Sequence, residues 1–416
     1  MKGQTRAIHG AFERAEALGS TAAPIYQTTA YACATAQGLA DVFAGKSPGY
    51  IYSRVGNPTT AALERRMADL EEGVGAVATS SGMAAITAVA VGLLKAGDEI
   101  VAAKGIFGGT VSLLEKTLGR FGIVTRWADA ARTEKFAGAV SERTRLIFVE
   151  TIGNPRMDVP DLEGIAAIAG SAGIPFVVDS TATTPALVRC GGHGADIVIH
   201  STSKFINGHG TAIGGCIVDT GRFDWSRGSF EEVRRWSERA GPMAFTAYLR
   251  NLISRDLGGC AAPMSSFLML QGLETLAVRM AVHCDNARRL AEWLGGREGV
   301  RWVNYPGLAG SPFIGRVKAQ FGGLGGGLLT FGLGGRDSAF RFIDSLRLAK
   351  NAANIGDTRT LVIHPASTIF HEFDSETKAA MGAGEDMVRV SAGLEHIDDI
   401  TADFEQALEK SFEVKR

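Results

Sequence analysis

Short apolar runs recur along the chain, most of them closed by a turn and followed by a stretch with helical spacing. GVGAVAT (73–79), DEIVAA (98–103), FGIVTRW (121–127), RLIFVE (145–150), IPFVVDS (174–180), ADIVIHS (195–201) and TAIGGCIVD (211–219) read as strands. SGMAAITAVAVGLL (81–94), TVSLLEKTLGR (110–120), 132–139 and 161–171 read as the helices between them. Strands that are apolar throughout, alternating with helices, predict an α/β domain with a mostly parallel sheet covered on both faces.

The ends of the chain differ from this middle. Residues 1 to about 60 show weak periodicity and many turn signals, which reads as an extended arm that needs other structure to pack against. From about 256 a long helical stretch, 265–294, carries Leu268, Leu273, Leu276 and Leu290 near helical spacing and is placed to bridge two domains. After it come GGGLLTFGL (325–333), a helix at 337–349, strands near 360–364 and 387–391, and a last helix at 400–411, which suits a smaller α+β domain. The expected division is an arm at 1–60, an α/β domain at 61–255 and an α+β domain at 256–416.

Composition narrows the function classes. Lys plus Arg is 43 and Asp plus Glu is 44, so no net field favours a polyanion, and nucleic acid is not an expected partner. Arg234 and Arg235 stand among Glu231, Glu232 and Glu238, which reads as a solvated face. No apolar run reaches the length of a membrane span. The opening MKGQTRAIHG runs into charge rather than an apolar stretch, so no signal peptide is expected. Five scattered cysteines without a CxxC pair suit a reducing, cytoplasmic setting. No metal site is expected: His200 and His209 do not form HExxH, and Cys190 with His193 lacks a second pair.

The chemistry concentrates in VVDSTATTPALVRCGGHGADIVIHSTSKFINGHGTAIGG. Asp179 closes an apolar strand, and in open α/β sheets ligands sit beyond the carboxyl ends of strands. Lys204 follows the next strand, with Ser201 and Ser203 before it and a glycine-rich turn behind. A lysine that forms an imine, hydroxyls that hold a phosphate, and an Asp that keeps a pyridine nitrogen protonated are the parts of a pyridoxal-phosphate (PLP) site. Taken singly, Asp179 also fits a helix N-cap and Lys204 a surface lysine. Together, both at strand ends, they point to the cofactor.

These segments resemble the Cys/Met-metabolism family of PLP-dependent enzymes of fold type I, over nearly the whole chain. The resemblance implies that Lys204 carries the cofactor as a Schiff base and that Asp179, with Thr181 beside it, meets the ring nitrogen. It implies phosphate contacts from Ser201, Ser203 and the backbone of Gly82 and Met83 in SSGMAAI, the last two at a helix start. ETIGNP places Asn154 beside the phenolic oxygen. Arg389 in VRVSAGLEHIDDI corresponds to the residue that grips the substrate carboxylate, and Asn354 and Ile355 in NIGDTRTLVIHPAS line that side. Tyr52 and Arg54 in YIYSR match a phosphate clamp that reaches into a neighbouring subunit, implying a homo-oligomer, usually a tetramer. His364 reads as structural.

GHGTAIGG, IVDTGRFDW, LQGLETLAVRM, VRWVNYPGL and NIGDTRTLVIHPAST resemble the O-acetylhomoserine sulfhydrylase branch. The implied reaction is γ-replacement on O-acetyl-L-homoserine by sulfide or a small thiol, with Lys204 as anchor and general base and Arg389 as orienting group. A γ-lyase, and an O-succinylhomoserine sulfhydrylase or cystathionine γ-synthase, share this framework. A non-catalytic scaffold would not be expected to keep Lys204, Asp179 and Arg389 together. Two departures stand out. Phe107 in GIFGGT takes the place of the family's ring-stacking tyrosine, which keeps the stacking but passes any proton transfer of the lost phenol to Lys204, Tyr52 or water, and ASTIFH puts Ile369 and Phe370 where the branch has Thr and His, displacing His371. The second change predicts a more apolar pocket, suited to another acyl group or a nucleophile bulkier than sulfide.

Overall fold

The computed structural model describes residues 1–10, 19–227 and 229–412. Its strands are β1 (Gly75–Thr79), β2 (Glu99–Ala103), β3 (Val124–Ala128), β4 (Thr144–Glu150), β5 (Phe176–Asp179), β6 (Ile197–His200), β7 (Gly215–Asp219), β8 (Trp302–Asn304), β9 (Leu328–Gly332), β10 (Lys350–Asn351), β11 (Leu361–Ile363) and β12 (Met387–Ser391). The first seven form one sheet in the order β1-β7-β6-β5-β4-β2-β3. Its pairings are parallel except at β7, which runs against both β1 and β6. Every residue of β1, β2, β5, β6 and β7 is buried, as apolar strands covered on both faces require. β3 at the edge alternates between exposed and half-buried positions before Ala128.

The second sheet has the order β10-β11-β12-β9-β8 and is antiparallel apart from β10 with β11. Helices Arg336–Ser345 and Ile397–Phe412 cover it, and Phe331, Phe342 and Phe404 meet between sheet and helices. This gives a second hydrophobic cluster beside the one around the larger sheet.

Three elements depart from the sequence expectation. Helix Pro58–Glu71 begins inside the expected arm, opened by Asn57, whose side chain accepts from the backbone N–H of Thr59 and Thr60. The stretch expected at 110–120 as one helix is a short α-helix, a π turn and a 3₁₀ turn in succession, from Gly108 to Phe121. The long helix expected at 265–294 is two, Pro263–Glu274 and Leu276–Leu294, separated at Thr275.

That break helps set the active-site loop. From the second helix, Arg279 Nη1 donates to the carbonyl of Phe205 at 2.6 Å, and Nη2 donates to Ile206 and Gly272. Gly272 allows the close approach, because a Cβ there would lie 2.2 Å from the Ile206 carbonyl oxygen. The residues following Lys204 are thereby clamped to a helix rather than left as a free turn. Arg235 pairs with Glu231 and Glu232 on the solvated face of helix Glu231–Ala240.

Candidate active site

A cavity of about 640 Å³ opens at the carboxyl ends of β4, β5 and β6, where ligands of open α/β sheets bind. It is lined by Lys204, Asp179, Thr181, Ser201, Ser203, Gly82, Met83, Phe107, Asn154, Arg389, Asn354 and Ile355, all singled out from sequence. Tyr52 and Arg54 do not line it. Tyr52 is 43% exposed, and the Arg54 guanidinium stands 5.4 Å from the Tyr52 ring centroid while donating to the carbonyl of Arg255.

Lys204 follows β6 after one turn, its N–H donating to the Ser201 carbonyl at 3.2 Å. Its Nζ donates to Asn354 Oδ1 at 2.6 Å. Burial, and then the positive charge of Arg389, lower its pKa to about 8. Arg389 lies on β12, between β11 and β9 in the second sheet. Its Nη1 donates to Asn154 Oδ1 at 3.1 Å and its Nη2 to the Asn354 carbonyl at 3.0 Å, while Nε is buried without a partner. Burial brings this guanidinium down to about 10.

Asp179 is no helix cap. Its Oδ1 accepts the Thr181 N–H at 2.9 Å, and Thr181 Oγ1 in turn accepts the Ser201 N–H at 2.7 Å, which ties the ends of β5 and β6 together. Burial raises its pKa, with the Thr181 hydrogen bonds working against the rise. Among the described residues no Lys, Arg or His forms a salt bridge with this carboxylate, a setting that would suit a protonated ring nitrogen.

At the other end, helix Gly82–Leu93 starts with Ser81, whose side chain caps the Ala84 N–H at 3.0 Å. The N–H groups of Gly82 and Met83 have no partner among the described residues, and both residues line the cavity. Two unpaired N–H groups on a helix N-terminus suit a phosphate. A Cβ on Gly82 would stand 2.6 Å from the Ser201 Cβ. The Ser203 hydroxyl donates to the Gly214 carbonyl at 3.0 Å and accepts the Gly214 N–H at 2.9 Å, so its proton is already engaged. Orphan amides, an unpaired buried carboxylate and a lysine of lowered pKa together fit PLP.

Sequence reasoning missed Glu150. The β4–β5 register sets it beside Asp179, and its Oε1 accepts the Phe107 N–H at 2.9 Å. Burial, then the Asp179 charge, raise its pKa well above the usual carboxylate range. The signal was present as the last residue of an apolar strand. The 369–370 expectation divides. Ile369 lines the cavity, whereas Phe370 is buried behind it, facing Gly108 and in tilted contact with the Phe373 ring. His364 is buried between Ser367 Oγ and the Glu385 carbonyl, with its ring on Phe340.

The sequence profile of the Cys/Met metabolism PLP-dependent enzymes matches residues 4–409. The chain belongs to that family. As a family member it is a PLP-dependent enzyme with the α/β fold described above. It is 43% identical over 419 residues to a homocysteine synthase of Schizosaccharomyces pombe, covering 98% of each chain. It is 41% identical over 420 residues to O-acetyl-L-homoserine sulfhydrylase 1 of Thermus thermophilus, covering 98% of this chain and 100% of that one. A Campylobacter jejuni crystal structure bearing N′-pyridoxyl-lysine-5′-monophosphate superposes with a TM-score of 0.92 at 34% identity, covering 98% of this chain and 100% of that one.

Proposed function

We propose that this family member catalyses γ-replacement on an O-acylated L-homoserine, O-acetyl-L-homoserine first, with sulfide or a small thiol, giving homocysteine or a thioether amino acid plus the carboxylate. The observation that carries the reading is the link from Lys204 through Asn354 to Arg389, which puts a base of lowered pKa and a carboxylate fork in one cavity. The names of the relatives support the choice of substrate and nucleophile.

Bound PLP supplies an electron-withdrawing ring that stabilises negative charge on the substrate carbons. Lys204 anchors it, then takes and returns protons at Cα and Cβ of the amino acid. Arg389 receives the α-carboxylate on its planar fork and fixes those carbons over the lysine, an orientation role. Asn354 and Ile355 shape that side. Asp179 would hold the ring nitrogen with Thr181 beside the ring, Asn154 the phenolic oxygen, and Ser201, Gly82 and Met83 the phosphate, joined by Ser203 once its hydroxyl turns from the Gly214 carbonyl. Phe107, on the cavity wall, would stack on the ring.

Tyr52 and Arg54 complete the phosphate site of a neighbouring copy, which makes the enzyme a homo-oligomer, a tetramer built from dimers with shared sites. Their exposure on the arm of their own chain supports this. The same reading keeps the division into an arm, an α/β domain to residue 255 and an α+β domain beyond it, in a cytoplasmic enzyme.

The test is product analysis of the holoenzyme with O-acetyl-L-homoserine, with and without sulfide, and with O-succinyl-L-homoserine in parallel. Sulfide-dependent homocysteine supports the reading. Sulfide-independent 2-oxobutyrate and ammonia would make the enzyme a γ-lyase instead.

A further inference from the structure

Tyr52 and Arg54 stand on a stretch of chain that its own residues already shape. Residues 28–31 and 51–53 form a short antiparallel ribbon. The Tyr31 N–H donates to the Ile51 carbonyl at 3.1 Å, the Ser53 N–H donates to the Thr29 carbonyl at 2.8 Å, and Ala30 pairs with Tyr52 across the ladder. A turn follows at once, the N–H groups of Val55 and Gly56 both donating to the Tyr52 carbonyl, at 2.9 and 3.1 Å. Tyr52 and Arg54 are exposed, whereas Ser53 between them is half-buried and donates its hydroxyl proton to the Thr28 carbonyl.

One side chain holds this shape from beneath. Asn57 is 1% exposed. Its Oδ1 accepts the N–H groups of Thr59 and Thr60, at 2.9 and 3.4 Å, and so caps helix Pro58–Glu71. Its Nδ2 lies 2.8 Å from the Tyr26 carbonyl, 2.9 Å from the Tyr31 hydroxyl and 3.1 Å from the Ser53 hydroxyl, meeting both strands of the ribbon. Capping needs only an oxygen, which Ser or Asp supplies as well as Asn. The amide nitrogen therefore serves the arm and not the helix. Arg250 adds a second hold, donating from Nη1 to the Val55 carbonyl at 3.4 Å. An arm ordered in advance spares a docking neighbour the entropy of ordering it.

Resting on the proposed sharing of sites between copies, we propose that Asn57 is a positioning residue, whose Nδ2 presents Tyr52 and Arg54 in fixed register to the phosphate end of the neighbouring copy's cavity. It touches neither substrate nor cofactor. Its loss leaves Lys204, Asp179 and Arg389 of its own chain in place and impairs the site of the chain beside it.

Two variants separate the arm from the cap. Asn57→Ser keeps a capping oxygen and withdraws the amide, and Asn57→Asp keeps the oxygen but sets a second one against the Tyr26 carbonyl. Each is expected to retain the wild-type circular dichroism as apoprotein. Each is expected to lose PLP through dialysis about tenfold more readily, the worth of about one hydrogen bond, with a similar fall in kcat/KM for O-acetyl-L-homoserine and sulfide.

The deciding measurement is complementation by Lys204→Ala, co-expressed in equal amount with either variant. Random pairing makes about half of the dimers mixed, and one site in each mixed dimer joins a lysine-bearing cavity to an intact arm. Turnover of about a quarter of the wild-type value per site is expected. A defect confined to the variant's own cavity leaves no whole site in a mixed dimer, so turnover at the level of the variant's own homodimers overturns the proposal. Wild-type PLP retention and turnover in both variants overturns it as well. Loss of the folded dichroism in both would show the amide to be structural, with the same consequence. Tyr52→Ala paired with Lys204→Ala is the control. Recovery there without recovery for the Asn57 variants defeats only the role of Asn57, whereas failure there defeats the shared-site reading and the proposal with it.

Discussion

Lys204 and Arg389 are bound to the same residue from opposite sides: Lys204 to the side-chain oxygen of Asn354 at 2.6 Å, Arg389 to its backbone carbonyl at 3.0 Å. Lys204 comes from the end of the large sheet and Arg389 from a strand inside the small one, so Asn354 joins the two halves of the chemistry. A substrate carboxylate that takes up Arg389 is thereby registered against the lysine.

Removal of Lys204 tests its role as base and anchor. Lys204→Ala is expected to lower turnover by about 10⁴-fold or more, the upper range for a single acid–base group. Since a buried amine is removed, the fold is expected to persist, and circular dichroism alongside the rate assay separates the two effects.

The lowered pKa of Lys204 fixes two pH dependences. Capture of PLP by the apoprotein requires the neutral amine, so its rate rises as pH passes about 8 rather than 10.5. In the apoprotein between those values the unfolded chain binds more protons than the folded one, so stability rises with pH. Lys204→Met removes that slope, which denaturant titrations at several pH values would show.

Arg389→Lys keeps the charge but loses the fork. One charge-assisted hydrogen bond contributes about 1.5–3 kcal/mol, so kcat/KM is expected to fall roughly 10²-fold, with KM taking a large share. Steady-state kinetics on the ester checks this.

Gly82→Ala puts a methyl against Ser201 at the start of the phosphate helix. Backbone shift there moves the two free N–H groups. Retention of PLP through dialysis, followed by absorbance, is expected to weaken about tenfold, a loss of about one hydrogen bond's worth, and the same clash is expected to lower the unfolding temperature of the apoprotein.

Much of this was legible from the sequence because it is local. Apolar runs ending in Asp179 or leading to Lys204 announce both the strand and the position where a ligand sits. Glu150 was legible as a strand end but not as a neighbour of Asp179, because only the β4–β5 register sets it there. Helix Pro58–Glu71 was hidden by charged residues that satisfy themselves at long range: Glu64 binds Arg250 at 2.8 Å, and Arg66 donates to the Gly10 carbonyl at 2.6 Å. The break at Thr275 likewise leaves little local trace, since its consequence lies in the Arg279 clamp on residues 205 and 206.

Away from the site, Glu99 offers an acid-stability test. Its buried carboxylate is held at a pKa of about 2, first by the Arg126 hydrogen bond, with Ser141 and Arg143 adding to it. A depressed folded pKa contributes stability above about 4.5 that is lost as pH falls toward about 2. Glu99→Gln is expected to be less stable at neutral pH and to flatten that part of the acid denaturation curve.

The most direct test of the central claim is the stoichiometry of homocysteine to acetate released from O-acetyl-L-homoserine as sulfide is varied. One homocysteine per acetate at saturating sulfide, with 2-oxobutyrate near background, is the predicted result. Acetate release matched by 2-oxobutyrate whatever the sulfide concentration would contradict it.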